Sequence, residues 1–250
     1  INVKTISIYL ALNGTQSNKT YVYPQIINAT AWKDVTVNNE GSVSLLRDGV
    51  SKGSGQSVTE EILLGSGTYN YSAIFSATNY TASNILSNRF ALVNKGVTSI
   101  NLWLNGTLNA NTSIKYPAQV NATAICNVST LTSTIYRNGI AQVSGTGTIY
   151  NVSRLGNNTY NFTAVCVGNA NYTGSSQLNR YITVNKGDPS IYMGLFIDSA
   201  ASNKTIIYPT VANVSANETV VGDSDVVYTL WRDEIILING SNVWNTTTLG

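Results

Sequence analysis

The chain has no histidine, and charged residues fill only 10% of its 250 positions. Without histidine, neither a Ser-His-Asp nor a Cys-His catalytic arrangement can be assembled. Acidic residues are missing altogether between Glu61 and Asp188. That stretch offers no carboxylate pair for glycosidase-type acid–base chemistry and no carboxylate cage for calcium. Further on, Asp223 and Asp225, with Asp198 or Glu218, have the ligand type for one cation, but solvated loop carboxylates are the plainer account. Two cysteines are too few for a metal site in a chain without histidine. No glycine-rich loop opens a helix, so phosphate cradling is excluded with it. The expectation is a non-enzyme with no cofactor and no metal.

Long apolar runs are also lacking. Ile62-Leu63-Leu64 and Ile235-Ile236-Leu237-Ile238 are three and four residues long, far below the roughly twenty that a spanning helix needs. The net charge is +2, with 14 scattered Lys and Arg and no basic patch for nucleic acid. Nothing at Ile1 reads as a signal peptide, so the sequence is expected to be a mature or clipped product.

Asparagine, threonine and serine replace the missing charges, with 32, 29 and 26 copies. They generate 18 Asn-x-Ser/Thr sequons, at Asn13, Asn18, Asn28, Asn70, Asn79, Asn105, Asn111, Asn121, Asn127, Asn151, Asn157, Asn161, Asn171, Asn203, Asn213, Asn217, Asn239 and Asn245. Chance pairing predicts only about seven. Any single sequon can be an accident of Asn/Thr-rich strands, but the set cannot. A heavily N-glycosylated protein, extracellular or at the cell surface, is expected, with sugars supplying the hydration that charges normally give. Outward-facing turns and strand faces, such as Asn13, Asn105, Asn161 and Asn171, lead as acceptors.

The chain also repeats itself. Tyr23-Pro24 returns as Tyr116-Pro117 and Tyr208-Pro209, at intervals of 93 and 92 residues. Asn28-Ala29-Thr30-Ala31 returns as Asn121-Ala122-Thr123-Ala124 and Asn213-Val214-Ser215-Ala216. Asn79-Tyr80-Thr81 returns as Asn171-Tyr172-Thr173, and Val93-Asn94-Lys95-Gly96 as Val184-Asn185-Lys186-Gly187. This period is too long for a solenoid unit and suits a small autonomous domain. Repeats over 1–95, 96–187 and 188–250 are expected.

Apolar residues alternate rather than recurring at helical spacing. Tyr160, Phe162, Ala164 and Cys166 share one face of a strand, in phase with Tyr69, Tyr71, Ala73 and Phe75 one repeat earlier. Asn70 and Asn161 fall on the other face, where a glycan has room. Asp48-Gly49 and Asn138-Gly139 between apolar runs are tight hairpin turns, because both central positions want positive φ. Asp233-Glu234 fits that turn less well and is expected to open into a longer loop. In the second repeat, seven strands are drawn near 99–104, 119–127, 132–137, 140–143, 147–152, 159–167 and 178–184. That is the strand count of an immunoglobulin-like sandwich, so the expected class is all-β.

Cys126 and Cys166 lie on the second and sixth of these strands, which face each other across such a core. A disulfide fits an oxidising compartment; two buried thiols are the alternative. Lys33 and Phe75 stand at the same places in repeat one. Trp32, Trp103, Trp231 and Trp244 are candidates for stacking on sugars, although Trp103 and Trp231 lie in strands, where a core role fits better.

Gly67-Thr68-Tyr69-Asn70-Tyr71-Ser72-Ala73, echoed by Gly156 and Tyr160-Asn161-Phe162-Thr163-Ala164, resembles the Gly-x-Tyr-x-aromatic-x-Ala pattern of tandem immunoglobulin-like repeats in bacterial and archaeal surface proteins. Tyr69 resembles the corner tyrosine that pins a sandwich edge. Dense sequons with few charges are similar to archaeal surface glycoproteins. The resemblance implies adhesion, stalks, sheaths, surface layers or filaments.

Repeat three stops at the counterpart of Leu155-Gly156, while Ile1-Asn2-Val3-Lys4 resembles the end of a seventh strand. Three periods are about 276 residues, roughly 26 more than the chain holds. The third sandwich is therefore expected to lack its last two strands, to leave Val211, Val226, Tyr228 and Leu230 short of partners, and to be completed from outside. The expected partners are copies of the chain or further repeats of the same polypeptide, together with covalent N-glycans. Two functions compete: a structural subunit of a glycosylated extracellular assembly, and an adhesin. Native material should exceed the bare polypeptide mass of 26.8 kDa when its intact mass is measured; the unmodified mass would refute the glycoprotein reading.

Overall fold

The computed structural model describes residues 4–34, 40–82, 88–188, 193–218 and 227–248, and every element among them is a β-strand. The first repeat contains β1 (Lys4–Ile6), β2 (Ile8–Leu12), β3 (Lys19–Val22), β4 (Ile26–Lys33), β5 (Ser42–Arg47), β6 (Val50–Gly55), β7 (Ser57–Leu63), β8 (Gly67–Ser76), β9 (Tyr80–Ala82) and β10 (Arg89–Asn94). β2-β4-β7 form one sheet, and β3-β10-β8-β5-β6 form the sheet facing it. The second repeat continues with β11 (Ile100–Leu104), β12 (Thr107–Leu108), β13 (Thr112–Lys115), β14 (Gln119–Cys126), β15 (Thr132–Arg137), β16 (Ile140–Thr146), β17 (Thr148–Arg154), β18 (Asn158–Cys166) and β19 (Leu178–Asn185). Its sheets, β12-β11-β14-β17 and β13-β19-β18-β15-β16, repeat the first pair in the same order, with β12 added at one edge. These are tandem immunoglobulin-like sandwiches.

All seven strands drawn for repeat two are present. β12 and β13 were not foreseen. Thr112-Ser113-Ile114-Lys115 has a single strongly apolar residue, and it becomes a strand by pairing in parallel with β19, as β3 does with β10. Period-2 patterning carries no trace of such a pairing.

The cores follow from alternation. Ile27, Ala29 and Ala31 of β4, and Val120, Ala122 and Ala124 of β14, are buried, while the residues between them face out or stay half-buried. Cys126 and Cys166 close the second core with a disulfide, sulfur to sulfur 2.08 Å and Cα to Cα 5.9 Å. Repeat one fills the same place differently. Lys33 is buried, its ammonium 6.0 Å from the Phe75 ring centroid and donating to the Glu40 carbonyl at 2.7 Å. Phe162 of the second core is matched in the first by Tyr71, whose hydroxyl donates to Glu60 at 2.9 Å. Glu60 is held in turn by Arg47 at 2.9 Å. Burial, reinforced by the Glu60 carboxylate, pushes the Tyr71 hydroxyl well above its ordinary range.

The third repeat contains β20 (Met193–Ile197), β21 (Val211–Glu218), β22 (Tyr228–Arg232), β23 (Ile235–Gly240) and β24 (Val243–Thr248). β20-β21-β24 and β22-β23 form its sheets; among the described residues neither contains a counterpart of β8 or β10. Leu195 is consequently 52% exposed, where its equivalents Leu10 and Leu102 are at 1% and 0%. Two expectations change here. Tyr228 and Leu230 are buried against Ala216 and Val243, because their own opposing sheet already covers them. Asp233-Glu234 does not open into a loop: both residues adopt positive φ, 48° and 64°, and β22-β23 keep the bulge seen in β5-β6 and β15-β16. Val211 is exposed, but on the outward phase of β21, as its equivalent Ile26 is at 59% in the complete first repeat, so missing strands do not cause its exposure; Val226 lies outside the described residues.

The cross-link closes a 40-residue separation, which in the chain-entropy model stabilises by about 4 kcal/mol. Reduction should lower the unfolding free energy of repeat two by about that much and leave repeat one unmoved, as read from the two transitions in a denaturant titration. A common shift of both would contradict it.

Candidate assembly joint and glycan-bearing surface

Five turns of this chain carry the same device. Asn13, Asp48, Asn105, Asn138 and Asp198 all have φ between 45° and 51°. Each donates its backbone N–H to a neighbouring strand and receives, on its side-chain Oδ1, the N–H of that same residue. The partners are Asn28, Asn70, Asn121, Asn161 and Asn213, and all ten bonds measure 2.7–2.9 Å. The side-chain oxygen stands in for a backbone carbonyl and extends the ladder past the strand end. Asn and Asp both serve because the clamp itself uses Oδ1; Asn105 adds a bond from Nδ2 to the Gln119 carbonyl at 2.9 Å. Lys204, 2.8 Å from Asp198, and the Asn213 amide hold the Asp198 carboxyl below the usual carboxylate range. That carboxylate is thus engaged as a turn clamp. Among the described residues no three of His, Cys, Asp or Glu cluster to hold a metal; Asp223 and Asp225 lie outside them.

The corner tyrosines are in place: Tyr69 donates to the Gly65 carbonyl at 3.0 Å and Tyr160 to that of Gly156 at 3.1 Å.

The joint between repeats one and two is built on Gly96. The peptide bonds Tyr23-Pro24, Tyr116-Pro117 and Tyr208-Pro209 are all cis. Tyr23 donates its N–H to the Asn94 carbonyl and Tyr116 to that of Asn185, both at 2.9 Å, so the Tyr-Pro turn holds the end of the last strand. The glycine that follows has no room for a side chain. A Cβ on Gly96 would lie 2.5 Å from the Tyr23 carbonyl oxygen, and one on Gly187 would lie 2.7 Å from that of Tyr116. Close backbone approach, not a left-handed φ, explains the repeated Asn-Lys-Gly.

The loop 169–173 of repeat two closes on this site. Gly96 donates to the Asn171 carbonyl at 3.0 Å and accepts from Thr173 N–H at 2.9 Å and Thr173 Oγ1 at 3.1 Å. Thr98 Oγ1 donates to the Thr173 carbonyl at 2.7 Å and Lys95 Nζ to that of Asn169 at 2.9 Å. Ser66 donates to Asn171 Oδ1 at 3.0 Å, and the Tyr23 and Tyr172 rings meet edge to face at 5.1 Å. Gly96 pairs in parallel with Tyr172. One period earlier β1 pairs in parallel with β9, matching Lys4 to Tyr80, 92 positions before.

The sequon asparagines divide by how their amides are used. Asn18, Asn111 and Asn203 are exposed at equivalent positions; Asn18 accepts from Phe90 N–H and Asn111 from Tyr181 N–H, both at 2.9 Å. Asn79, Asn121, Asn127, Asn157, Asn213 and Asn239 are exposed. Asn28, half-buried, donates Nδ2 to Glu61 at 2.7 Å; Asn151 and Asn245 are also half-buried. Asn70 and Asn161 lie opposite the aromatic row as alternation requires, but half-buried, and like Asn217 they have an enclosed Oδ1 with no hydrogen-bond partner among the described residues. Asn13 and Asn105 are exposed turn clamps, and Asn171 is wedged in the joint.

The tryptophans do not gather. Trp32 stacks on Tyr9 at 5.4 Å, and Trp103 is half-buried. Trp231, expected in the core, is 57% exposed, because Tyr228 and Leu230 take the inward phase of β22; Trp244 is 63% exposed on the other sheet.

No known protein-family model matches this chain, and no curated protein is similar to it. Among solved structures it is similar to the fibronectin(III)-like modules of Clostridium thermocellum CbhA, at 12% identity over 71% of this chain and 94% of that one, TM-score 0.30. It is also similar to the central fibronectin-III array of RIM-binding protein, at 12% identity over 86% and 80%, TM-score 0.27. Rst D1-D2 is similar at 12% identity over 71% and 99%, TM-score 0.27.

Because only Oδ1 is used, Asn138→Asp should keep repeat two intact. Asn138→Ala should cost about 2 kcal/mol, the lost acceptor adding to the penalty of a Cβ at positive φ. Denaturant midpoints check this, and Asn138 is outside any sequon, so glycosylation does not confuse the comparison. Equal midpoints for both variants would contradict the clamp.

Proposed function

We propose that the chain is a non-enzymatic structural element of an extracellular glycosylated assembly, such as a filament, sheath, stalk or surface layer. The observation that carries this reading is the joint at Gly96, where the second repeat meets the first through Ser66 N–H on Asn171 Oδ1, Lys95 Nζ on the Asn169 carbonyl and the Tyr23–Tyr172 ring contact. Flexible tethers between adhesive heads do not need such a grip; a load-bearing series of domains does. The polar surface is mostly Asn, Thr and Ser, and the exposed sequons would clothe it in sugar.

In this reading the third sandwich is completed by two strands of the β8 and β10 kind, from further repeats of the same polypeptide or from a neighbouring copy. Leu195 and Met193 present the apolar face those strands would cover. Burying it is worth about 25 cal/mol per Å² of apolar area. An adhesin is the second reading, favoured by the exposure of Trp231 and Trp244. Their placement on two different sheets weakens it, since a sugar platform needs aromatics on one surface.

Electron micrographs of native material are expected to show rods or fibres with a repeat-domain spacing along their length, and glycan-array binding is expected to be absent. Isolated particles that bind one glycan class would move the assignment to the adhesin.

A further inference from the structure

Asn171-Tyr172-Thr173 and Asn79-Tyr80-Thr81 are the same tripeptide sequon at the same place in successive repeats, yet their asparagines have different surroundings. Asn79 is exposed and donates Nδ2 to Glu40 at 2.6 Å. Asn171 is half-buried against repeat one. Its Oδ1 takes the Ser66 N–H, and a Cβ placed on Gly65 would lie 2.7 Å from Oδ1, 3.6 Å from Cγ and 3.7 Å from Nδ2. Oδ1 therefore rests on the bare Cα of Gly65, where even a methyl group would crowd it, and Nδ2 lies beside it at ordinary contact distance. Gly156, the equivalent of Gly65 one repeat on, has nothing within 4 Å. The Thr173 hydroxyl of the sequon is spent on the Gly96 carbonyl. Repeat one is what makes the difference.

We infer that a glycan on Asn171 and the docked joint exclude one another, so that this sequon is the point at which N-glycosylation uncouples repeat one from repeat two. An unmodified Asn171 is a docking residue that fixes the two domains as one stiff unit. A sugar on Nδ2, which the trans preference of a substituted amide places on the Oδ1 side, has to occupy space beside Gly65 and Ser66 and displaces Asn171 from repeat one. The inference concerns one loop and stands whether or not the chain polymerises.

Amide hydrogen exchange at Ser66, whose N–H crosses from repeat one to Asn171 Oδ1, reads the joint directly. In the full chain with intact disulfide and bare Asn171, this amide should exchange roughly a hundredfold or more slower than a free amide. Expressed protein ligation supplies the same chain with a single N-acetylglucosamine on Asn171 Nδ2 or, as control, on Asn157, at an exposed sequon. The Asn171 sugar form should lose at least about tenfold of the protection, while the Asn157 sugar form keeps it. Glycopeptide mass spectrometry of native material should find Asn171 empty where exposed sequons are filled. Retained protection in the Asn171 sugar form, equal loss in both sugar forms, or a filled Asn171 with Ser66 still protected would each overturn the inference. A chain bearing no sugar at any sequon would refute the glycoprotein reading alone, because the comparison of ligated chains needs no native glycan.

Discussion

An asparagine side chain carries the same amide as the backbone, and the architecture depends on that equivalence. In a chain with so few charges, ion pairs such as Arg47–Glu60 and Lys204–Asp198 cannot tie down most strand ends and turns. The orphan N–H groups beyond each strand end still need acceptors, since an unmade backbone hydrogen bond costs more than a made one returns. Asn13, Asp48, Asn105, Asn138 and Asp198 meet this by turning left-handed, where Asn and Asp carry a smaller penalty than other residues, and by offering Oδ1 to the next strand. Asn169 also uses its Oδ1 in this way inside the joint loop, without the left-handed turn, accepting from both Asn171 and Tyr172 N–H.

The sandwich frame tolerates quite different cores. Where repeat two joins Cys126 to Cys166, repeat one sets an ammonium beside a ring and ties it to a carbonyl. Where repeat two has Phe162, repeat one has Tyr71 satisfied by Glu60 and Arg47. A buried hydroxyl needs partners that an apolar residue does not, and the half-buried Glu60–Arg47 pair supplies them. Repeat one therefore replaces a covalent constraint with an ammonium–ring contact, and an apolar ring with a polar network that is complete only if all three members are present. The surrounding register is the same in both: Arg47 faces Tyr71 as Arg137 faces Phe162. The backbone ladder, rather than any one core contact, is what the repeats have in common.

Much of this is legible in the residues. The period, the seven strands and the Asp-Gly and Asn-Gly turns come from local patterns of spacing two and from turn chemistry. Trp231 was legible too: with Tyr228 and Leu230 inward, alternation alone sends it outward, and bulk is a poor guide to direction. Asp233-Glu234 was not, since two non-glycine residues at positive φ run against turn preference and hold because the hairpin on either side fixes them. The joint was out of reach for another reason. Asn171 and Ser66 are 105 positions apart, and nothing in either segment says that they meet. The enclosure of Asn70 and Asn161 is equally non-local, because alternation gives the face of a residue but not what covers it.

The turn clamps also sharpen what a sequon means in such a chain. At the first turn of each repeat the clamp residue is Asn13, Asn105 and Asp198, and the N–H and Oδ1 bonds are the same in all three. At Asn13 the fold is indifferent between amide and carboxylate; at Asn105 it is not, because Nδ2 donates to the Gln119 carbonyl at 2.9 Å. The threonine two residues on in the first two repeats, Thr15 and Thr107, has no part in the clamp. The sequon at Asn13 is thus not a by-product of folding, since aspartate would serve there. Asn171 differs: its position is dictated by the joint, and its sequon threonine by the Gly96 carbonyl. Under the proposed glycosylation, sequons that the fold does not need are the ones free to carry sugar without cost to it. Those that it does need are where a sugar would act on the structure.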